Sequence, residues 1–311
     1  KKVDDEFNEL KLSIAEYNAI LGSRTRQLEI LLSELDEMVE KHGDERRTNI
    51  DPMPLSMDRE DLVEERAIVI SLSEDNYIRH LPVEAFRVQN RGGKGLKGVT
   101  TKDEDFPKSI LTCFSKDRLL IFTDQGRVYG LKAWETPQGS RLSRGSHIRN
   151  LIERLREDEK VVTILPISKE VQENPDGHYL IFATHEGVVK RSKLEDYTRI
   201  NRNGKYALKF KTESDTLVAV REATEEDHVV LVSKNGRACR FKPSETKEMP
   251  DGSTGFTVKV QGRVTAGVRG MKLKDGDTVV GMIATSNEDT HVLTLSKFGM
   301  AKRSRLGDGE M

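Results

Sequence analysis

The sequence is poor in residues that build disulfides, thiolate metal sites and membrane spans. Its 311 residues include only 2 cysteines and 1 tryptophan. Cys113 and Cys239 stand in apolar or alternating runs without CxxC or Cys/His spacing, which favours core residues over metal ligands. No apolar run approaches the about twenty residues of a membrane helix, and no signal-peptide pattern opens the chain. We therefore expect a cytoplasmic protein with no membrane partner.

The patterns of common catalytic sites are missing as well. No nucleophile elbow surrounds a serine, and no histidine keeps metal spacing with a carboxylate or a second histidine. Residues 86–99 are rich in glycine and cations. They do not form a nucleotide-binding loop, because no Ser or Thr follows Lys94 or Lys97. A loop of this kind fits either a nucleic-acid-binding surface or a flexible charged turn.

Charge is divided unevenly along the chain. The formal net charge is −1, which separates into −8 for residues 1–70 and +7 for residues 71–311. The longer part is therefore modestly basic, and its cations gather in particular loops. This distribution points to an acidic partner for that part of the chain.

Residues 4–42 carry apolar side chains at helical spacing. Gly22 can close one helix and Ser23 can cap the next, which predicts two antiparallel helices. Such a hairpin cannot bury its apolar stripe alone, so it needs a partner helix or a larger domain. Two prolines and mixed charge then indicate a linker. The predicted organisation is a helical hairpin at residues 1–50, a linker at 51–61 and a β domain at 62–311.

One β unit recurs through the rest of the chain. It consists of an apolar strand, a small polar turn and an alternating strand. The turn residue recurs as Asn76, Gly126, Gly187, Gly236 and Gly299. Asparagine fits this series because it tolerates positive φ better than other non-glycine residues. Copies two to four add a strand after an acidic or charged turn. The repeat predicts a mainly β, propeller-like domain with blades one to four and the start of a fifth.

Cations recur at matching positions of the repeat. The first set follows the hairpin turns and consists of Arg79, Lys190, Arg191, Arg240, Lys302 and Arg303. The second set lies in the glycine-rich loops and includes Arg91, Lys94, Lys97, Arg144, Arg202, Lys205, Arg263 and Arg269. If the units are blades, loops at the same position of each repeat lie on the same edge of the domain. Positive charge at regular intervals along that edge suits duplex DNA. The loops lack helix-borne side chains that read bases, so we expect little sequence specificity.

Several stretches resemble a known family. They are QNRGGKG at residues 89–95, TDQGRVYGLK at 123–132, GVRGMKL at 267–273 and GDERRT at 43–48. Together with the repeat, they resemble the C-terminal, DNA-wrapping region of bacterial DNA gyrase A. Residues 1–50 look like the end of the helical segment that closes that family's breakage-reunion domain. The family's seven-residue box usually reads Gln-Arg-Arg-Gly-Gly-Lys/Arg-Gly, so Asn90 removes one cation from it.

The resemblance implies a six-bladed β-pinwheel, incomplete here, in which each blade lends a strand to its neighbour. It also implies that duplex DNA wraps around a basic edge in support of ATP-dependent negative supercoiling. The implied DNA-binding box consists of Gln89, Asn90, Arg91, Gly92, Gly93, Lys94 and Gly95. The implied partners are gyrase B and a second copy of gyrase A in an A2B2 holoenzyme associated with the bacterial nucleoid.

Catalysis does not carry over to this chain. The family's DNA-cleaving tyrosine follows an arginine, and none of the 6 tyrosines here does. The resemblance assigns ATP and magnesium to gyrase B. We therefore expect no catalytic residue, metal or cofactor in this chain.

Three alternatives remain open at this point. The nearest is the equivalent region of the topoisomerase IV protein that corresponds to gyrase A, in which the box is degraded. A protein-interaction propeller would instead present aromatic or acidic anchors and bind independently of salt. An enzyme that uses the channel of a propeller is disfavoured because no metal or acid–base cluster is visible.

Overall fold

The computed structural model describes residues 1–48, 59–86, 105–140, 143–152, 154–245 and 257–306. The chain divides into two units, Lys1–Met57 and Asp58–Met311. The predicted box at residues 89–95 and Lys97 lie outside the described residues. In the described part of the chain, no helix combines the length and apolar character that a membrane span requires.

The first unit contains the two helices that the periodicity predicts. Helix α1 spans Lys2–Gly22 and helix α2 spans Arg24–His42. Ser23 between them is extended, and its Oγ accepts a hydrogen bond from the Arg26 amide at 3.4 Å. This is the predicted N-cap. Neither helix has a buried residue, so the apolar stripe is exposed. The antiparallel arrangement of the pair stays a prediction.

The second unit is built from short strands. They are β1 Ala67–Ser73, β2 Tyr77–Pro82, β3 Pro107–Phe114, β4 Arg118–Thr123, β5 Arg127–Lys132, β6 Ser146–His147, β7 Val161–Ile167, β8 Tyr179–Thr184, β9 Val188–Lys193, β10 Lys205–Tyr206, β11 Leu217–Ala223, β12 His228–Ser233, β13 Ala238–Phe241, β14 Val268–Arg269, β15 Val279–Thr285, β16 His291–Leu295 and β17 Ala301–Arg305. A short helix α3, Lys169–Glu173, follows β7.

The strands form small sheets that we call blades one to five. Their strand orders are β3-β1-β2-β6, β10-β5-β4-β7, β11-β8-β9-β14, β13-β12-β15 and β16-β17. The mainly β, propeller-like class is confirmed, and the described blades are fewer than the six that the resemblance implies. Strands β6, β10 and β14 join blades one to three, but each follows the next blade's hairpin along the chain. We call them borrowed strands, and they confirm that these blades share strands with their neighbours.

The third strand of each unit also pairs as predicted. Strands β7, β11 and β15 lie against β4, β8 and β12 in blades two to four. Blade one has such a strand too, because β3 pairs with β1 in the same antiparallel way. The sequence pattern did not identify β3, since a long glycine-rich and charged stretch separates it from its hairpin.

A pair of hydrogen bonds closes each hairpin turn that the structure describes. In blade three, the Gly187 amide donates to the Thr184 carbonyl at 3.0 Å, and the Val188 amide donates to Thr184 Oγ1 at 3.1 Å. Gly187 has φ +82°, and Asn76 takes the same left-handed region at φ 62°. The hydroxyl recurs in the five described hairpins, at Ser73, Thr123, Thr184, Ser233 and Ser296. This hydroxyl is a local signal that the sequence analysis did not use.

The acidic turns before the third strands have a structural role. Asp215 Oδ1 accepts a hydrogen bond from the Glu186 amide at 2.9 Å. Asp277 Oδ1 accepts one from the Asn235 amide at 3.1 Å. In each case a buried carboxylate ties the start of the third strand to the hairpin turn of its own blade.

The apolar core lies between adjacent blades. Along β4, Leu119 and Ile121 belong to the core shared with blade one, while Leu120 and Phe122 belong to the core shared with blade three. A strand buried on both faces reads as a continuous apolar run, as β4 does. Phe114, the last residue of β3, is 52% exposed. Blade one has a described neighbouring blade on one side only, and Phe114 lies on the other.

Candidate nucleic-acid interface

Three glycine-rich loops lead into the borrowed strands. Gly145, Gly204 and Gly267 immediately precede these strands and have φ values of +83°, +71° and +83°. A Cβ at Gly145 would lie 2.3 Å from the Ile78 carbonyl oxygen, and one at Gly267 would lie 2.5 Å from that of Val189. Both the backbone conformation and the close approach therefore require glycine. The loops are held tightly against the second strand of each hairpin.

Arg79 holds the first of these loops from inside. Its side chain is buried, and its Nη1 donates hydrogen bonds to the carbonyl oxygens of Ser140, at 2.5 Å, and Ser143. Its Nε donates to Ser71 Oγ at 3.2 Å. Burial lowers the pKa of Arg79. The guanidinium thus fixes the backbone directly before Arg144.

Lys190 takes the same position in blade three. Its Nζ donates to the carbonyl oxygens of Ala207, at 2.6 Å, and Arg263, and lies 5.2 Å from the centre of the Phe182 ring. Its side chain is completely covered. Desolvation lowers its pKa to about 7, although the charge of Asp196 acts in the opposite direction. Lys190 therefore holds two segments of the chain in place through their carbonyl oxygens, one just after β10 and one before β14.

Arg191 and Arg240 are engaged within the protein as well. Arg191 lies 2.6 Å from Glu225 Oε1, and its Cζ is 3.8 Å from the centre of the Tyr179 ring. Arg240 Nη2 lies 3.2 Å from Glu288 Oε1. Arg191 is buried and Arg240 is largely covered.

These positions correct part of the sequence prediction. The pattern places Arg79, Lys190 and Arg191 on an exposed basic edge, but the structure buries all three. The borrowed strand and its loop cover the second hairpin strand, so Arg79 and Lys190 bond to loop carbonyls, whereas Arg191 pairs with Glu225. Lys302 and Arg303 occupy the positions in blade five that Lys190 and Arg191 occupy in blade three. Both are exposed, and no borrowed strand is described beside their hairpin.

The loop cations, in contrast, remain at the surface. Arg144, Lys205 and Arg269 are exposed, and each lies within two residues of a loop glycine. Lys205 Nζ donates to the Arg199 carbonyl at 3.3 Å, which leaves its other protons available. Each of the three borrowed strands, or the loop that leads into it, thus carries an exposed cation within two residues of its positive-φ glycine.

Two further loop cations have partners. Arg202 is exposed and forms an ion pair with Glu135. Arg263 is partly exposed, and its Nη1 donates to the Asp196 carbonyl at 3.3 Å. Exposed ion pairs contribute only about 0–1 kcal/mol, so Arg202 can exchange its partner for a phosphate at low cost.

The structure also reveals an aromatic residue that the sequence analysis missed. Tyr206 is 53% exposed and lies opposite Arg127 across β10 and β5. The Cζ of Arg127 is 5.5 Å from the centre of the Tyr206 ring and 5.4 Å from that of Tyr129. Pattern reasoning could not find this pair, because its two members come from different repeats. Across the described ranges, no group of three or more His, Cys, Asp or Glu residues is arranged to hold a metal ion.

Comparisons with known proteins agree with this architecture. The family model described as "DNA gyrase C-terminal domain, beta-propeller" matches residues 67–111, 117–168, 178–223, 227–255 and 256–286. The DNA gyrase A protein of Staphylococcus epidermidis (strain ATCC 12228 / FDA PCI 1200) is 41% identical over 309 residues. This match covers 99% of the chain but only 33% of the relative. The chain therefore spans about a third of the length of the curated relatives it matches.

Solved structures show the same fold. The solved C-terminal domain of DNA gyrase A has 26% identity and a TM-score of 0.59, covering 78% of this chain and 72% of its own. The C-terminal domain of DNA topoisomerase IV has 25% identity and a TM-score of 0.58, covering 78% and 69%. Because the family model matches more than half of the residues, this chain belongs to the DNA gyrase C-terminal domain, beta-propeller family.

Proposed function

We propose that this chain binds duplex DNA through its backbone and wraps it along the basic loops of successive blades, as part of a DNA gyrase A protein. The proposal rests chiefly on one observation. Exposed cations, Arg144, Lys205 and Arg269, recur within two residues of the glycines that lead into three borrowed strands. Cations at regular intervals suit the uniform charge of the DNA backbone. Family membership and the names of the relatives support this reading.

The remaining candidate cations divide into two roles. Arg202, Arg263, Lys302 and Arg303 are at least partly exposed and would add phosphate contacts. Arg79, Lys190, Arg191 and Arg240 would instead stabilise the fold. The first two bond to loop carbonyls, and the last two pair with Glu225 and Glu288. The box at residues 89–95 and Lys97, outside the described residues, would contribute to DNA bending.

The energetics permit wrapping without base recognition. Bending a duplex over a few helical turns costs about 1–6 kcal/mol by elastic estimates. Contacts to roughly five to ten phosphates can offset that cost at low salt, because each contact releases counterions. Wrapping that depends on backbone contacts and DNA deformability needs no base-specific side chain.

The chain would act within a larger enzyme. In the proposed A2B2 assembly, a second copy of gyrase A completes the DNA-cleaving part, and gyrase B supplies ATP and magnesium. This chain would contribute no catalytic residue, metal or cofactor. Its wrapped DNA would support ATP-dependent negative supercoiling by this cytoplasmic, nucleoid-associated type II topoisomerase.

A second candidate is the equivalent region of the topoisomerase IV protein that corresponds to gyrase A. The solved topoisomerase IV domain matches with a TM-score of 0.58, against 0.59 for the gyrase A domain. The fold therefore does not separate the two. The nearly intact QNRGGKG motif favours gyrase, and so does the 41% identity to a DNA gyrase A protein.

A topology assay tests the proposal. Nicked circular DNA is ligated in the presence of the chain, and the topoisomers are counted after the protein is removed. Wrapping should shift the distribution of linking number. The combined variant Arg144→Gln, Lys205→Gln, Arg269→Gln should reduce the shift strongly. A matched variant, Lys2→Gln, Lys11→Gln, Arg24→Gln, removes the same charge from the exposed helices and should leave the shift unchanged.

Three outcomes would count against the proposal. Unchanged topoisomers with the unaltered chain would exclude wrapping. Equal losses in the two triple variants would mean that total charge, not the borrowed-strand loops, determines the effect. Binding that does not weaken with salt would favour a protein-interaction propeller.

A further inference from the structure

In blades one to three, a residue of the second hairpin strand pairs with a residue of the borrowed strand, and the proposed function does not yet use these pairs. We call them corner pairs. The first residue of the second hairpin strand lies opposite the second residue of the borrowed strand. In blades one to three these pairs are Tyr77–His147, Arg127–Tyr206 and Val188–Arg269. Every pair contributes an aromatic ring or a cation, and blade two contributes both.

Arg127 carries a positive charge that tyrosine rings hold in place. Its guanidinium lies within 5.5 Å of the centres of the Tyr206 and Tyr129 rings. Its Nε is covered and lacks a hydrogen-bond partner, and no ion pair to Arg127 is found in the part of the chain that the structure describes. Because ring faces orient a guanidinium without neutralising it, the charge remains available to an anion.

Tyr206 is an exposed ring that lies opposite Arg127. Its ring is 53% exposed, although most large apolar and aromatic side chains of the neighbouring strands β4 and β5 are buried. Exposed Lys205 precedes it in β10, and exposed Arg202 lies in the loop that leads into this strand. The ring packs against the Arg127 guanidinium, and this contact leaves more than half of Tyr206 exposed to solvent.

We infer that Tyr206 and Arg127 form a paired contact to the DNA backbone. The ring of Tyr206 packs against a deoxyribose, and the guanidinium of Arg127 binds an adjacent phosphate. The inference deepens the proposed function and rests on it.

Duplex backbone fits this pair better than stacked single-stranded bases. Single-strand binding relies on several aromatic rings on which successive bases stack. Among the residues of the three described corner pairs, Tyr206 is the aromatic residue that is more than half exposed. Its partner is a cation, not a second exposed ring. A deoxyribose offers an apolar surface to the ring of Tyr206, and the adjacent phosphate offers a negative charge to the guanidinium of Arg127.

The two contacts should be separable by their salt dependence. The ring contact releases no counterion, whereas each neutralised phosphate contributes about 0.9 to the slope of log K against log salt. Tyr206→Ala should therefore weaken binding about threefold to tenfold at every salt concentration, because partial burial of an apolar ring is lost, with an unchanged slope. Arg127→Gln should weaken binding and lower the magnitude of the slope by about 0.9.

The experiment measures the affinity of the full chain for a duplex and for a single strand of equal length, over a range of salt concentrations. Tyr206→Phe keeps the ring and should bind like the unaltered chain. Phe298→Ala removes a ring that is 90% exposed on the blade-five hairpin and serves as the matched control, with no expected effect. Thermal unfolding of each variant verifies that the fold is kept.

The outcomes distinguish this inference from the proposed function. If the unaltered chain binds the duplex with a steep salt slope but Tyr206→Ala binds equally well, the paired contact is wrong and the proposed function stands. If the unaltered chain does not bind the duplex, the proposed function itself fails. A loss with Tyr206→Phe as large as with Tyr206→Ala, or tighter binding of the single strand, would overturn the contact between ring and sugar.

Discussion

At the residue scale, Lys190 and Lys205 show how one side-chain type serves two purposes. Lys190 is covered on all sides and donates to loop carbonyls, whereas Lys205 is exposed on a borrowed strand. A buried ammonium group loses its hydrogen bonds to water, and carbonyl oxygens and ring faces must replace them. The first lysine therefore contributes to loop geometry and the second to surface charge.

The buried lysine predicts that stability depends on pH. Its pKa falls from 10.5 to about 7 in the folded protein, because burial disfavours the charged form. Between these values the unfolded chain holds a proton that the folded chain has released. The free energy of unfolding should then rise with pH, by at most about 1.4 kcal/mol per pH unit, and below about pH 7 the full cost of the buried charge remains.

Urea unfolding at pH 7 and pH 9 tests this expectation. The unaltered chain should gain stability between the two pH values relative to Lys190→Met, which has no group that titrates. Lys205→Met, in which an exposed lysine is replaced, is the matched control and should follow the unaltered chain. Parallel pH profiles for the unaltered chain and Lys190→Met would refute the prediction.

At the element scale, the hairpin turns depend on a hydroxyl as well as on a glycine. Thr184 Oγ1 accepts a hydrogen bond from the Val188 amide at 3.1 Å, and the equivalent bond recurs in every described hairpin. Glycine permits the left-handed turn, and the hydroxyl satisfies an amide that the turn leaves without a strand partner. The repeated unit is thus defined by two positions.

Removal of this hydroxyl should be measurable. Thr184→Val keeps the shape of the side chain but leaves the Val188 amide without its acceptor, which should cost about 1–3 kcal/mol. Thr216→Val makes the same chemical change at an exposed position and should alter stability by less than about 0.5 kcal/mol. Urea unfolding compares the two variants, and equal midpoints would show that the hydroxyl bond contributes little.

At the scale of the whole molecule, the second unit is held together by cores between blades. Phe122 of blade two is fully buried and packs edge-on against Phe182 of blade three, with ring centres 5.6 Å apart. Among the described residues, the core of blade two is shared with its neighbours, because both faces of its central strand lie against other blades. Neighbouring blades should therefore lose stability together.

A core substitution tests this coupling. Phe122→Ala should destabilise the unit by about 3–5 kcal/mol, because it removes a buried ring between two blades. Hydrogen exchange should become faster in both β4 and β8. Phe298→Ala, at an exposed ring, should change neither stability nor exchange in these strands. Faster exchange confined to β4 would contradict the coupling.

The proposed wrapping also predicts a distinctive salt dependence. The magnitude of the slope of log K against log salt should approach about 0.9 for each phosphate contacted. Loss of Arg144, Lys205 and Arg269 should reduce this magnitude by roughly 2.7. Filter-binding or anisotropy titrations at several salt concentrations measure the slope. A triple variant with the original slope would mean that these residues do not contact phosphates.

The sequence by itself determined the local structure of this protein. The helices, the turn residues, the hairpins and most of the third strands follow from periodicity and from backbone conformations that few residues can adopt. These signals are local, because they depend on neighbours within one turn or one strand. The family and the repeated blade architecture were predictable for the same reason.

Only the tertiary structure decided which cations reach solvent. Arg79 and Arg144 both belong to basic segments of the repeat, yet the first is buried and the second exposed. The pairing of Arg127 with Tyr206 was likewise invisible in the sequence. Each outcome depends on a strand that returns from the next repeat and covers the hairpin before it. Burial is a property of such distant contacts, and the local pattern of residues does not contain them.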